Sequence, residues 1–462
     1  MAPILVSGPV LLGTGIIAHG SNLVYDFRDC MYNAAFAILH GRNPYEPMFA
    51  ARQAAIMRAG HIALGELNST GISVPVYPAF ANVLIVPLAL LPFWIAAFIF
   101  TVLCGTAMIV GLRWLGVTDR RCLGLALISW PFLFGVSLGA VGPLLVLGAG
   151  AAWRWRDKLW PPAVAIASIV ALKLLPWTLG VWLLVTRRYR TLAICVACCL
   201  LLTFGTWALI GFTGMAQYPQ MLSNITYVAE GRGISLLTVL LIAGASPAVA
   251  SATALAACAG ILALTAHLAR GVDGDRRAFG LSVIAVLATS PLVWEHYMVL
   301  LFVPVALASP QLSKLWLAPM AAPVMTAISR AFVADTHRLQ AYSPNGLRQA
   351  LSWLAIELIV AVYLCTSPES RAAVRTRARG VLREPRAVQL LRAVDIRDRD
   401  DDLHVPREVR SALRRSRSWC DLAFAPVGRR ASVLLAACRR QAPHPRGPRT
   451  DHGALGELDD RG

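Results

Sequence analysis

Residues 25–35 read Tyr-Asp-Phe-Arg-Asp-Cys-Met-Tyr-Asn-Ala-Ala and directly follow an apolar segment, residues 3–22, that is long enough to cross a bilayer. They place two carboxylates, Asp26 and Asp29, at the rim of this predicted span. Holding an acidic side chain near lipid costs free energy, so the pattern favours a functional role. The alternative is an Asp that caps a helix starting near Asn33, and this stretch leaves both interpretations open.

The composition is typical of a polytopic membrane protein. The chain has 462 residues, of which 57% are hydrophobic and 15% charged, and its mean hydropathy is +0.59. Apolar runs recur between residues 1 and 366, and several reach the roughly 20 residues that a spanning helix needs. Because these runs are continuous rather than alternating, they predict an all-α polytopic integral membrane protein and argue against an outer-membrane barrel.

The net charge of +18 reports topology rather than a nucleic-acid partner, because the basic residues lie in short loops and in the C-terminal tail. Their clusters occur at 113–121, 154–158, 187–190, 270–277 and from 371 onward. Placing these clusters in the cytoplasm puts the Asp26 loop, the 213–234 loop, the 294–297 turn and the 333–345 loop outside. We therefore predict about 12 spans in the plasma membrane, with outer loops, both termini cytoplasmic and the first span retained.

Two apolar segments are predicted to be broken. Residues 79–112 must cross once although prolines interrupt them, so their first dozen residues are interpreted as a re-entrant or interfacial helix. Residues 160–186 have basic clusters at both ends and should enter the bilayer and return, with Lys173 near the far tip. Beyond residue 366 the chain becomes Arg-rich and apolar-poor, which predicts a transmembrane domain over 1–366 and a disordered cytoplasmic tail over 367–462.

Several polar residues on the predicted outer side are candidates for sugar binding. Tyr45 and Glu46 lie beside rigid Pro turns, and Tyr77 precedes another proline. Sugar rings stack on aromatic side chains and bond to carboxylates, whereas interfacial anchoring of the tyrosines is the simpler alternative.

Two cations are candidates for binding the phosphate of a lipid carrier. Lys173 is one of three lysines and lies in an apolar setting, where a lysine requires an anion unless it snorkels to the interface. Arg232 is the second candidate, with a solvated loop charge as the equal alternative.

The turn Ser290-Pro291-Leu292-Val293-Trp294-Glu295-His296-Tyr297 packs an acid, an imidazole and two aromatic rings between two predicted spans. His titrates near neutral pH, so His296 is suited to donating a proton or hydrogen bond to a phosphate or hydroxyl. Trp294 and Glu295 join it as sugar or acceptor contacts, and a merely structural turn is the alternative.

The sequence contains no Gly-rich phosphate cradle, Ser/His/Asp set, metal-ligand spacing or soluble nucleotide-binding domain. An enzyme with acids on the outer face would then take its activated donor from the membrane itself, which indicates a lipid-linked phosphosugar and requires no cofactor. A transporter or flippase of lipid-linked sugars, or an inactive scaffold, would bind with the same groups without reaction.

Five features follow one another along residues 1–366: Asp26-Phe27 and Ala34-Ala35 before Gly41-x-Asn43-Pro44-Tyr45; Tyr77-Pro78 before Pro87 and Pro92; Gly142-Pro143-Leu144-Leu145; Lys173 with Pro176 and Arg187-Arg188; and Ser290-Pro291 before Trp294-Glu295-His296-Tyr297. In this order they resemble glycosyltransferase family 87, the polyprenol-phosphate-mannose-dependent α-1,2-mannosyltransferases and relatives. The resemblance implies a GT-C membrane fold, a polyprenyl-phosphate-linked sugar donor and a glycolipid or cell-envelope glycan acceptor.

The resemblance also assigns roles. It implies that Asp26 or Asp29 is the general base and that His296 serves the donor; Asp26 is favoured for its Phe neighbour. The sequence departs from the family pattern in the Asp-to-Gly41 spacing, in Glu295 where an Asp is usual, and in residues 139–142, which lack the usual polar side chain.

Overall fold

The computed structural model describes residues 24–45, 76–222, 233–271, 273–321 and 344–366. Within these ranges the regular secondary structure is entirely helical. The longer helices are Ala79–Ala89, Phe93–Trp114, Arg120–Ile128, Trp130–Leu138, Gly142–Arg154, Trp160–Leu172, Tyr189–Ile210, Pro247–Leu268, Gly274–Thr289 and Pro344–Thr366. The all-α architecture expected from the continuous apolar runs is therefore confirmed for this part of the chain.

Four helices of the described residues are long and apolar enough to cross a membrane. They are Phe93–Trp114, Tyr189–Ile210, Pro247–Leu268 and Leu347–Thr366. A fifth span results if Arg120–Ile128 and Trp130–Leu138, which meet at 54°, are taken as one bent helix. The chain is a multi-pass membrane protein, and the count of about 12 spans stays a prediction because residues 3–22, among others, lie outside the described ranges.

The predicted break before residue 93 is present. Ala79–Ala89 ends ahead of Pro92, and Phe93–Trp114 begins directly after it. A helix of 11 residues rises only about 16 Å, which is too short to cross the bilayer core. The first piece is thus a separate short helix, and the second carries the full span.

Residues 160–185 form a broken helical hairpin whose two ends lie together, and its re-entrant position in the bilayer stays a prediction. The chain rises through Trp160–Leu172, breaks at the extended residue Lys173, and returns through the helix Leu179–Val185. The two ends are joined by ion pairs: Arg188 lies 3.8 Å from Asp157, and both Arg188 and Arg156 contact Asp275, at 2.6 and 3.3 Å. The 13-residue helix Trp160–Leu172 therefore places Lys173 about 20 Å from the ion-paired ends of the hairpin.

A long buried segment follows the turn at residues 290–295. Every residue from His296 to Ala308 is buried, first in a 3₁₀ helix, Glu295–Leu301, and then in the helix Phe302–Ala308. The helix Gly274–Thr289 leads into this segment and packs against the last helix, Pro344–Thr366. The 3₁₀ helix that carries His296 is held by packing against the helices Trp130–Leu138, Gly142–Arg154 and Gly274–Thr289.

Candidate functional site

The Asp26 segment is one continuous run of helical turns. It consists of Tyr25–Phe27, the π-helical Arg28–Tyr32 and Asn33–Leu39. The interpretation of an Asp as cap of a helix near Asn33 is wrong, because no side chain caps these turns and the helix runs through both aspartates. π-Helical turns are rare and frequently occur at functional sites.

The two aspartates have different surroundings. Asp29 receives two hydrogen bonds from its neighbour Arg28, at 3.0 and 3.1 Å, and one from Asn33 at 3.3 Å. Asp26 is 5% exposed and accepts a hydrogen bond from the Tyr77 hydroxyl at 3.1 Å through Oδ2. Among the described residues, only Asp26 of the two lies close to Lys173 and His296.

Lys173 lies at the tip of the hairpin formed by residues 160–185. Its ammonium lies over two tyrosine rings, 4.4 Å from the centroid of Tyr77 and 4.2 Å from that of Tyr297, and it donates a hydrogen bond to the Tyr297 hydroxyl. Phenol faces carry negative potential and stabilise a cation in a dry site. The aromatic rings and the Asp26 carboxylate thus make a buried ammonium tolerable.

His296 comes from the third segment. Its Nε2 lies 3.9 Å from Oδ2 of Asp26, which is beyond hydrogen-bond distance. The ring is 1% exposed and packs edge-on against Tyr297, with centroids 4.0 Å apart. Neither ring nitrogen has a hydrogen-bond partner among the described residues, and buried polar atoms in native proteins usually have one.

The electrostatics of the site favour a reactive carboxylate. Burial raises the pKa of Asp26 above its ordinary value, while the Lys173 charge and the Tyr77 hydrogen bond oppose that rise. A carboxylate with an elevated pKa is a stronger base than a solvated one. Asp26 therefore combines a raised pKa with a nearby positive charge that favours its ionised form.

The predicted sugar contacts are distributed between the site and the layer behind it. Tyr77 faces Asp26 and Lys173 directly, whereas Tyr45 is buried one layer away, where its hydroxyl donates to the Tyr77 carbonyl and accepts from Asn82. The Tyr45 ring packs against Trp207 at 4.7 Å. Tyr45 thus holds the Tyr77 backbone in this structure.

The other predicted contacts follow the same division. Trp294 packs edge-on against the His296 ring at 5.7 Å, and its indole nitrogen is buried without a partner. Both carboxylate oxygens of Glu295 are engaged by indole donors. Glu46 and Arg232 lie outside the described residues.

Three glycines bring the helices of the site together, and sequence reasoning missed their role. A Cβ on Gly139 would meet Phe27 Cβ at 2.5 Å, and one on Gly142 would meet Val299 at 2.7 Å. A Cβ on Gly135 would lie 3.4 Å from His296 Cβ, at ordinary contact distance. The apolar residues 139–142, where a polar side chain was expected, thus serve close backbone approach to the segments that carry Asp26 and His296.

Asp26, Lys173 and His296 can together hold a phosphate, orient a hydroxyl and accept its proton. Within the described ranges, no three His, Cys, Asp or Glu side chains are grouped as metal ligands. The site thus brings together the carboxylate of Asp26, the ammonium of Lys173 and the imidazole of His296.

Comparison with known proteins agrees with this chemistry. Residues 76–293 match the family model described as Glycosyltransferase family 87. The chain is therefore similar to glycosyltransferase family 87 over a little under half of its length. The matched region includes Tyr77 and Lys173 and ends directly before the Trp294–Tyr297 turn.

One curated relative of this chain is a polyprenol-phosphate-mannose-dependent alpha-(1-2)-phosphatidylinositol pentamannoside mannosyltransferase from Mycolicibacterium smegmatis. The two are 28% identical over 246 residues, which cover 48% of this chain and 58% of the relative. This chain thus matches little more than half of the relative's length. No solved structure matches the chain.

Proposed function

We propose that this protein is a membrane hexosyltransferase. It moves a sugar, mannose by similarity to the relative, from a polyprenyl-phosphate-linked donor to a glycolipid or cell-envelope glycan on the outer face. One observation carries the proposal: Asp26, Lys173 and His296, which are more than 100 residues apart in sequence, come together in one buried site.

Asp26 is the general base in this proposal. Its Oδ2 is held by Tyr77, and Oδ1 makes no hydrogen bond to any described residue, which leaves that oxygen to accept the proton of an acceptor hydroxyl. The hydroxyl oxygen then forms a bond to the anomeric carbon while the bond from that carbon to the phosphate oxygen breaks. The electron pair leaves with the polyprenyl phosphate, and the anomeric configuration inverts.

Lys173 stabilises the leaving phosphate. In the structure its ammonium is shared between tyrosine rings and the field of Asp26, so it has no ion-pair partner within 4 Å among the described residues. Charge that develops on the phosphate during transfer would meet a preorganised cation in a site with little water. Arg232 is proposed as a second cation for the same phosphate.

His296 is proposed to contact the donor phosphate. Its two unpaired ring nitrogens lie beside Asp26 and provide a hydrogen bond without displacing any protein partner.

The test compares Asp26→Asn with Asp29→Asn in membranes supplied with labelled lipid-linked mannose and the endogenous acceptor. We expect Asp26→Asn to lower the transfer rate about 100-fold or more, because a general base contributes at least that much. Asp29→Asn is the matched control, since Asp29 is paired with Arg28 and removed from Lys173. Transfer by Asp26→Asn at the wild-type rate would refute the assignment, and counter-flow of unmodified donor without product would favour a transporter.

A further inference from the structure

The carboxylate of Glu295 accepts hydrogen bonds from two tryptophans that belong to different helices. The indole Nε1 of Trp130 donates to Oε2 at 3.0 Å, and that of Trp353 reaches Oε1 at 3.5 Å. Trp130 opens the second half of the bent helix pair, and Trp353 is a fully buried residue of the last helix. The two donors stand 165 and 58 residues from Glu295 in the sequence, so this contact ties three distant segments together.

Both oxygens of Glu295 are used by these bonds, and no cation contacts the carboxylate among the described residues. Hydrogen bonds to an ionised acceptor are stronger than those between neutral groups. An indole N–H donates along one fixed direction of a rigid ring. Two such donors therefore restrict the position of the carboxylate more than a solvated lysine would.

Glu295 directly precedes His296, whose ring makes no hydrogen bond to any residue that the structure describes. The orientation of the imidazole must then come from its backbone and its packing. Trp130 stacks on Phe134 with an interplanar angle of 5°, and the Phe134 ring lies 6.1 Å from the His296 ring. The tryptophan that holds Glu295 thus also supports the aromatic wall beside His296.

We infer that Glu295 is a positioning residue: its carboxylate, held by Trp130 and Trp353, sets the place of the His296 imidazole opposite Asp26. This inference rests on the proposed function of that site. It replaces a direct sugar contact as the role of Glu295, because both carboxylate oxygens already have protein donors.

The contact itself is tested without turnover. Glu295→Ala, Trp353→Phe and the double variant are purified in detergent, and their unfolding temperatures are compared. If the carboxylate and the indole act on each other, the double variant loses about as much as the more destabilised single variant. Additive losses would overturn the inference, whether or not the protein transfers sugar.

The positioning role is tested by kinetics. We expect Glu295→Ala to lower kcat roughly ten- to a hundredfold, since displacing a catalytic group by about 1 Å has an effect of that order, with the donor KM within about twofold of wild type. Glu295→Gln keeps one acceptor oxygen and should recover part of the loss. Trp160→Phe, a change of an exposed tryptophan at the start of the hairpin, is the control for loss of an indole.

A raised KM for donor or acceptor with kcat unchanged in Glu295→Ala would show that the carboxylate binds sugar directly, and would overturn the inference. So would a wild-type kcat in both Trp130→Phe and Trp353→Phe. Absence of transfer by the wild-type protein would instead refute the proposed function, while the unfolding temperatures still report on the contact.

Discussion

Gly139 offers a sharp test of how the Asp26 segment is positioned. Gly139 ends the helix Trp130–Leu138 with φ of +73°, and the space above its Cα is occupied by the Asp26 segment. A Cβ there would approach Phe27 Cβ to 2.5 Å and Val24 Cγ1 to 2.8 Å, whereas ordinary contact begins at 3.4 Å. Gly139→Ala must therefore push Phe27 away by about 1 Å, and Asp26, its neighbour in the same helical turn, would move with it.

The magnitude follows from two effects. An alanine in the left-handed region costs about 1–2 kcal/mol of stability, and a displacement of about 1 Å at a catalytic group costs roughly 100-fold in rate. Gly41 separates them, because it has φ of +70° and open space where its Cβ would lie. We expect Gly41→Ala to lose stability with little change in kcat, and Gly139→Ala to lose both.

The assay measures initial rates of mannose transfer from the labelled lipid-linked donor, alongside thermal unfolding of each variant in detergent. A Gly139→Ala protein that unfolds like Gly41→Ala and transfers sugar at the wild-type rate would refute the reasoning. It would mean that the position of Phe27 does not determine that of the base.

Two further predictions concern single side chains. Tyr77→Phe removes a hydrogen bond that lowers the pKa of Asp26, so the carboxylate should require a higher pH to ionise and the acid limb of the rate–pH profile should move upward; Tyr32→Phe, whose hydroxyl bonds to a backbone carbonyl, should leave the limb in place. An unmoved limb in Tyr77→Phe would remove Asp26 from the role of titrating base. Glu357→Leu removes a carboxylate that is 1% exposed with neither oxygen partnered, and should raise the free energy of unfolding by about 1–3 kcal/mol in detergent. Destabilisation by Glu357→Leu would show that the buried carboxylate has a stabilising contact.

Much of the architecture could be predicted from the sequence, because the constraints that a membrane places on helices act on local segments of the chain. A run of apolar residues predicts a helix wherever it occurs, and basic clusters at both ends of residues 160–186 predicted that this segment returns to its starting side. The ion pairs of Arg188 with Asp157 and Asp275 confirm the return. The break before Phe93 followed likewise from the prolines alone.

The contacts of the site depend on segments that are distant in sequence, and local patterns do not encode them. Asp26 and Asp29 are three residues apart, yet only the fold distinguishes the carboxylate beside Lys173 from the one paired with Arg28. Tyr45 was predicted to contact the sugar, but its hydroxyl donates to the Tyr77 carbonyl and accepts from the Asn82 amide. The glycines at positions 135, 139 and 142 were a signal that sequence reasoning could have used, because small residues recur where a segment must approach other backbones closely.

The hairpin of residues 160–185 explains how a lysine can be buried at this site. A lysine on a continuous span would pay for desolvation along its whole side chain or snorkel to the interface. Here the chain breaks at Lys173, and the break sets the ammonium against two phenol rings and near a carboxylate that also needs a counter-charge. The burial of Lys173 and the burial of Asp26 are therefore mutually dependent, and the pair that would perform the transfer is also what makes two charges tolerable in the interior of the bundle.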